Sequence, residues 1–308
     1  MDWKGLNRIA MGTTKIGLEP DRPAGYRILD AFVDLGGQIL DTAAVYSNWV
    51  PGETSRSEAI IGEWFAQKPV REKLFLVTKG GHPPLGDSHQ SRLDRESIRS
   101  DVEGSLKRLR TDRIDLYFLH RDDRSRPVAE IMGALEDYVG RGQIGAVGCS
   151  NWQPDRIAEA RKIMGGKLAA SQILGNVLSS LMNPVRDTTL AKLDAEALAQ
   201  ARAEGLMLML FTSQAQGALT KLDHPPADYD NPACRAAIAE LQGIAKRLGI
   251  DVNALGVAFL LQLSPEIVPV VGPRNIDQLK NSLMANTIKL DAAAMSAISR
   301  VTGLALIR

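Results

Sequence analysis

Short β-rich runs alternate with longer segments of helical spacing along the chain. The runs fall at Arg8–Met11, Gly37–Leu40, Leu74–Thr78, Ile114–Leu119, Ile144–Cys149, Leu168–Ile173, Leu206–Phe211 and Val268–Val271. Between them, the recurrence of apolar positions predicts helices at about 22–35, 56–67, 93–110, 127–140, 153–164, 187–203 and 253–263. A further helical stretch at about 275–286 follows the last run, and an extra helix near 233–248 precedes the one at 253–263. Most runs are almost continuously apolar, as strands covered on both faces are. Such alternation implies parallel strands with helical crossovers, and eight units suffice to close a barrel. The expected fold is α/β: a single (β/α)8 TIM barrel over residues 1–308, with the extra helix before the last helix–strand unit. Met207, Leu208, Met209 and Leu210 are read as barrel core.

Composition narrows the function. The 308 residues carry 37 basic and 36 acidic side chains, net +1, without the basic excess that phosphate backbones demand. Nucleic acid is therefore excluded as the main partner. No apolar run approaches the roughly 18 residues of a membrane span, and Met1-Asp2-Trp3-Lys4-Gly5 lacks the apolar core of a secretory signal. Cys149 and Cys234 are too few for a disulfide framework and read as small buried hydrophobes. A cytoplasmic protein without membrane contact, a monomer or small homo-oligomer, is expected.

In such barrels chemistry sits on the loops after the C-terminal strand ends. The second run is followed by Asp41-Thr42-Ala43-Ala44-Val45-Tyr46, the third ends in Thr78-Lys79-Gly80-Gly81, and the fourth in Leu119-His120. Each residue alone has a plain structural reading: Asp41 a cap, Lys79 a solvated amine, His120 a bonded core histidine, Tyr46 a loop aromatic. Four unrelated features have no reason to gather at three successive strand ends. Together they suit proton donation to a carbonyl oxygen. Phenol is a poor acid, with a pKa near ~10, and a neighbouring ammonium favours its ionised form. Tyr46 would be the acid, Lys79 its tuner, Asp41 the partner of Lys79, and His120 the group holding the carbonyl oxygen. Reduction also needs a hydride source.

These segments resemble the aldo-keto reductase family. Asp41-Thr42-Ala43 with Tyr46, Val77-Thr78-Lys79 and Leu119-His120 are similar to its Asp-Tyr-Lys-His tetrad in order and context. Gly148-Cys149-Ser150-Asn151-Trp152 is similar to its Gly-Val-Ser-Asn-Phe segment, and the likeness runs from Met11-Gly12-Thr13 to Gly272-Pro273-Arg274. The resemblance implies an NAD(P)H-dependent oxidoreductase reducing an aldehyde or ketone, a sugar or another small carbonyl compound, with the nucleotide held extended across the barrel mouth. Ser150, Asn151 and Gln172 would bind the carboxamide and Phe211 would stack on the nicotinamide. Gln214, Gln216 and Gly217 would line the pyrophosphate, while Gly272, Arg274 and Gln278 would take the adenosine end. A Gly-x-Gly-x-x-Gly fingerprint is absent, which speaks against a Rossmann dehydrogenase. Arg274 at a helix start suits a 2′-phosphate, so NADP (as NADPH) is preferred, with NAD possible.

Departures from the family pattern are visible. Ser47 stands where glycine is common, Thr212-Ser213-Gln214-Ala215-Gln216-Gly217 replaces the usual Ser-Pro-Leu-Gly, and Ser282 replaces an asparagine that Asn281 offers one position early. Trp49 and Trp152 are the expected substrate-contacting aromatics. Arg121–Arg126 is read as a solvated loop, and His82 and His89 as surface-loop histidines rather than metal ligands. Two rival functions remain: a nucleotide-binding regulatory subunit of the same fold, and a Schiff-base aldolase using Lys79.

Overall fold

The computed structural model describes residues 3–18, 21–87 and 90–304. Eight strands, β1 (Ala10–Gly12), β2 (Ile39–Asp41), β3 (Phe75–Gly80), β4 (Ile114–Leu119), β5 (Ile144–Ser150), β6 (Leu168–Leu174), β7 (Met207–Phe211) and β8 (Ile267–Val271), pair in that order. All pairings are parallel, and Ala10 against Val270 closes the barrel. Outside them lie α1 (Arg22–Asp34), α2 (Arg56–Gln67), α3 (Arg95–Leu109), α4 (Val128–Gly133), α5 (Glu136–Gly140) and α6 (Pro154–Met164). Next come α7 (Ala195–Glu204), α8 (Pro232–Leu248), α9 (Val252–Leu263), α10 (Ile276–Met284) and α11 (Ala292–Thr302). The chain is thus the expected (β/α)8 barrel, with α8 as the extra helix.

The helix starts are written in the sequence. Asp21, Asp94, Asp194, Asn231, Asp251, Asn275 and Asp291 each accept a hydrogen bond from a backbone N–H in the first turn of the helix they precede. Three boundaries differ from expectation. The helix at 127–140 is interrupted between α4 and α5 at Ala134 and Leu135, a turn that keeps right-handed angles. The helix expected from 187 begins only at Ala195, because Lys192 bridges to Leu174 and Leu193 N–H bonds the Leu174 carbonyl, holding that stretch extended beside β6. The C-terminal α11 is additional.

Inside the barrel, the strands contribute Ala10, Ile39, Phe75, Val77, Leu116, Phe118, Ala146, Ala170, Met207, Met209, Val268 and Val270. Leu208 and Leu210 instead join the larger cluster beneath the helices, so the Met-Leu-Met-Leu run is core on both faces, as expected. Phe118 fills space that Gly148 leaves open: a Cβ there would lie 2.4 Å from the Phe118 ring. The inward parity continues upward to Asp41, Lys79, His120, Ser150, Gln172 and Phe211. Apolar layers fill the barrel floor, and the next layer toward the C-terminal rim is polar. That layer is the site.

Candidate active site

Asp41 ends β2, Lys79 lies near the end of β3, His120 follows β4, Ser150 ends β5 and Gln172 lies on β6. Lys79 and Asp41 are fully buried. The Lys79 ammonium donates to both Asp41 carboxylate oxygens at 2.7 Å, to the Thr42 carbonyl at 2.8 Å and to the Tyr46 hydroxyl oxygen at 3.0 Å. Gln172 Nε2 donates to Asp41 Oδ1 at 3.0 Å, a bond that crosses the barrel from β6 to β2. The Tyr46 and His120 ring centroids are 6.1 Å apart. The four expected residues therefore converge, and Gln172 joins them as a brace on the carboxylate.

Three donors on Lys79 meet three partners, so the ammonium is saturated. Burial works against its charge, but Asp41 and the Tyr46 oxygen outweigh that and hold its pKa above the ordinary value. For Tyr46 the balance runs the other way from the sequence expectation. Burial raises the phenol pKa more than Lys79 lowers it, and Asp41 adds to the rise. The phenol thus keeps its proton at neutral pH. Its oxygen accepts from Lys79, and its proton is donated to Asp41 Oδ2 over a long 3.5 Å, a weak bond that a closer acceptor can displace.

His120 is 9% exposed, and its Nδ1 is buried without a hydrogen-bond partner. Burial first, then the charges around Lys79, His82 and Arg121, press its pKa well below the histidine range. In the neutral ring, a proton on Nε2 leaves a bare lone pair in the core rather than an orphaned N–H, and makes Nε2 a donor. His82 is not the surface histidine expected. Gly81, in the left-handed region at φ +71°, turns the chain so that the His82 ring meets His120 edge to face at 4.8 Å. His89 lies outside the described residues. Among the described residues no cluster of three or more His, Cys, Asp or Glu could hold a metal ion, and no helix is long and apolar enough to cross a membrane.

Both imidazoles are held neutral, so unfolding takes up protons that the folded state refuses. Stability is expected to fall as pH drops below the ordinary histidine value of 6.5, with a slope of up to about 1.4 kcal/mol per pH unit per histidine. His120→Gln should flatten this acid limb. Unfolding titrations between pH 7.5 and 5 read the slope directly, and an identical slope in the variant would contradict the assignment.

The groups around this centre fit a nicotinamide nucleotide in chemistry. Ser150 and Asn151 are buried beside Gln172, and Phe211 is partly exposed at the end of β7. Non-glycine residues in the left-handed region crowd the same rim: Ser47, Ser55, Asn151, Thr212, Ala215 and Gln216. Backbone held this way gathers at ligand-binding rims. Asn151 is tightly committed: it donates to Ser150 Oγ and the His120 carbonyl, and accepts from the Ala191 N–H. With Gln172 Nε2 on Asp41, the acceptor this pair offers a carboxamide is Gln172 Oε1.

Where the adenosine end is expected, Arg274 is exposed immediately before α10, where backbone N–H groups open. Gln278 turns its Oε1 onto the Arg274 N–H, closing a capping arrangement with Asn275. Gln214 donates to Ser282 Oγ, Gln216 turns to Asp228, and Gly217 is left-handed at φ +80°. Asn281, one position early, donates to Asp251. Gly272 is exposed in the β8–α10 turn.

Two substrate expectations are corrected. Trp152 is 1% exposed, its indole N–H donates to the Arg121 carbonyl and Arg156 lies over its ring, so it presents no face to the mouth. Arg121–Arg126 is only in part the solvated loop expected: Arg124 and Ser125 are exposed, but Arg156 pairs with Asp122 at 2.9 Å and Arg121 with Asp187 at 3.3 Å. Trp49 is 48% exposed in the β2–α2 loop, and Leu85 of the β3–α3 loop is also exposed.

The sequence matches the aldo/keto reductase family over residues 8–302. The chain belongs to that family. It is 31% identical over 300 residues to the uncharacterized oxidoreductase YrpG of Bacillus subtilis strain 168, covering 93% of this chain and 89% of that one. It is 28% identical over 286 residues to a 6-dehydroglucose reductase of Novosphingobium aromaticivorans, covering 92% and 88%. The norsolorinic acid reductase stcV of Emericella nidulans is 28% identical over 316 residues, covering 92% and 75%. Membership makes this aldo/keto reductase an oxidoreductase of carbonyl compounds in the general sense, and the family generally works with nicotinamide cofactors.

Proposed function

We propose that the whole chain acts as one barrel domain that reduces an aldehyde or ketone with NADPH, using Tyr46 as general acid. The observation that supports this reading best is the saturated Lys79 ammonium, which holds the phenol oxygen while the phenol proton is held only by a long, 3.5 Å bond to Asp41 Oδ2. His120, donating through Nε2, orients the carbonyl oxygen beside Tyr46. As the proton leaves Tyr46, negative charge grows on an oxygen already facing Lys79. Asp41 keeps that lysine charged, and Gln172 fixes Asp41. The bound nicotinamide supplies the hydride. Ser150, Asn151 and Gln172 would hold its carboxamide, Phe211 its ring, Gln214, Gln216 and Gly217 the pyrophosphate, and Gly272, Arg274 and Gln278 the adenosine end.

The primary experiment is a nucleotide-consumption screen over aldehydes, ketones, keto sugars and pyridoxal, run with NADPH and with NADH. Turnover with at least one class is expected, and no carbonyl-dependent oxidation of either nucleotide would sink the reading. A single slow oxidation without turnover would favour a regulatory nucleotide binder. A Schiff base is disfavoured, because a charged and fully hydrogen-bonded lysine is no nucleophile. Borohydride trapping with a carbonyl substrate should leave Lys79 unmodified.

Nucleotide choice is read through Arg274. Arg274→Ala should raise KM for NADPH by roughly tenfold or more and that for NADH by less than about threefold, since a charge-assisted contact to the 2′-phosphate is worth about 1.5–3 kcal/mol. Equal losses with both nucleotides would remove Arg274 from that role.

A further inference from the structure

His82 has no part in the proton transfer, yet it is packed against the group that orients the carbonyl. Its Nδ1 lies 2.6 Å from the Pro83 carbonyl oxygen. A carbonyl only accepts, so Nδ1 carries the proton of the neutral ring. Burial keeps that ring neutral; the Pro83 bond opposes it and the Arg121 charge adds to it. Nε2 is left as a bare lone pair with no hydrogen bond among the described residues. Two neutral imidazoles, 4.8 Å apart between ring centroids, thus offer opposite functions: a donor on His120 and an acceptor on His82.

On the reductase reading, we infer that His82 is a specificity-determining contact that accepts a hydrogen bond from a hydroxyl on the carbon next to the carbonyl. A donor followed by an acceptor matches an α-hydroxy aldehyde or ketone, whose carbonyl oxygen accepts and whose hydroxyl donates. A plain ketone satisfies only His120. An α-keto acid would set carboxylate oxygens against the His82 lone pair, and the nearby Arg121 charge is already offset by Asp187. The preferred substrate class is therefore α-hydroxy carbonyl compounds, open-chain sugars included.

The test uses a matched pair, 2-hydroxyacetophenone and propiophenone, which differ by a hydroxyl in place of a methyl group. The unaltered chain should favour the hydroxyketone in kcat/KM by roughly five- to tenfold, the value of one neutral hydrogen bond. His82→Phe should bring the ratio to about one, while His82→Asn, which keeps an acceptor, should retain part of it. His82→Leu serves if the phenyl side chain prevents folding. Dissociation constants for the same pair, taken by ligand-observed NMR without nucleotide, read the ratio independently of turnover. If no carbonyl compound in the nucleotide-consumption screen is reduced but the hydroxyl preference in binding is present and lost in His82→Phe, the assignment of His82 stands and the reductase reading falls. A ratio near one in the unaltered chain, or a ratio unchanged by His82→Phe, overturns the assignment.

Discussion

Tyr46→Phe is expected to lower kcat for carbonyl reduction by about 10²–10⁴-fold while leaving nucleotide affinity within about twofold, the range for losing a positioned general acid. The substitution removes one oxygen. That oxygen accepts from Lys79, and its proton is the most weakly held in the network, donated to Asp41 Oδ2 over 3.5 Å. Lys79 would keep Asp41 and the Thr42 carbonyl, so the buried pair and the barrel should survive intact. The groups assigned to the nucleotide sit on or just after β5, β6 and β7, in the β8–α10 turn and on α10, and none of them hydrogen-bonds the removed atom. Steady-state kinetics with the best substrate, paired with a fluorescence titration of NADPH, separates the two effects. Retention of more than about a tenth of kcat would assign the proton to another donor.

Much of this was legible in the sequence because barrel strands obey a period of two. From Ile39 the inward position two residues on is Asp41, from Val77 it is Lys79, from Phe118 it is His120, and from Ala170 it is Gln172. Polar residues at positions the apolar parity reserves for the interior cannot be ordinary surface residues. His82 escaped that logic because it lies beyond the strand, and only the left-handed turn at Gly81 returns it to the site. The two adjacent glycines before His82 were the available signal. Trp152 failed for a related reason. Asn151 is itself left-handed, so the ring after it swings behind the strand end, where the Arg121 carbonyl takes its N–H.

The direction of the Tyr46 pKa was also beyond sequence reasoning. A nearby lysine can be expected from spacing, but the extent of burial that outweighs it cannot. The α11 segment is a different case. Asp291 as a cap and the buried Ala294 and Ile298 at helical spacing were present. Eight strand–helix units had already accounted for the barrel, and nothing in the repeat called for another helix.

Lys79→Met should destabilise the fold by about 3–5 kcal/mol, because it leaves the Asp41 carboxylate buried without its cation. Both side chains are essentially inaccessible, so water cannot replace the lost partner. Asp41→Asn should cost a similar amount by stranding the ammonium. The double variant leaves neither charge, and its loss should be smaller than the sum of the two single losses, with a coupling of about 1–3 kcal/mol. Urea titrations of the four chains at pH 7 measure this cycle. Activity adds a second reading: without the ammonium, burial and Asp41 hold the Tyr46 pKa up against the Thr14 hydrogen bond alone, so the phenol becomes a weaker acid. The carbonyl-reduction rate of Lys79→Met should fall even under conditions where the variant is fully folded. Additive stabilities would mean that the pair does not act as one unit, and an unchanged rate in folded Lys79→Met would separate the lysine from the proton donor it contacts.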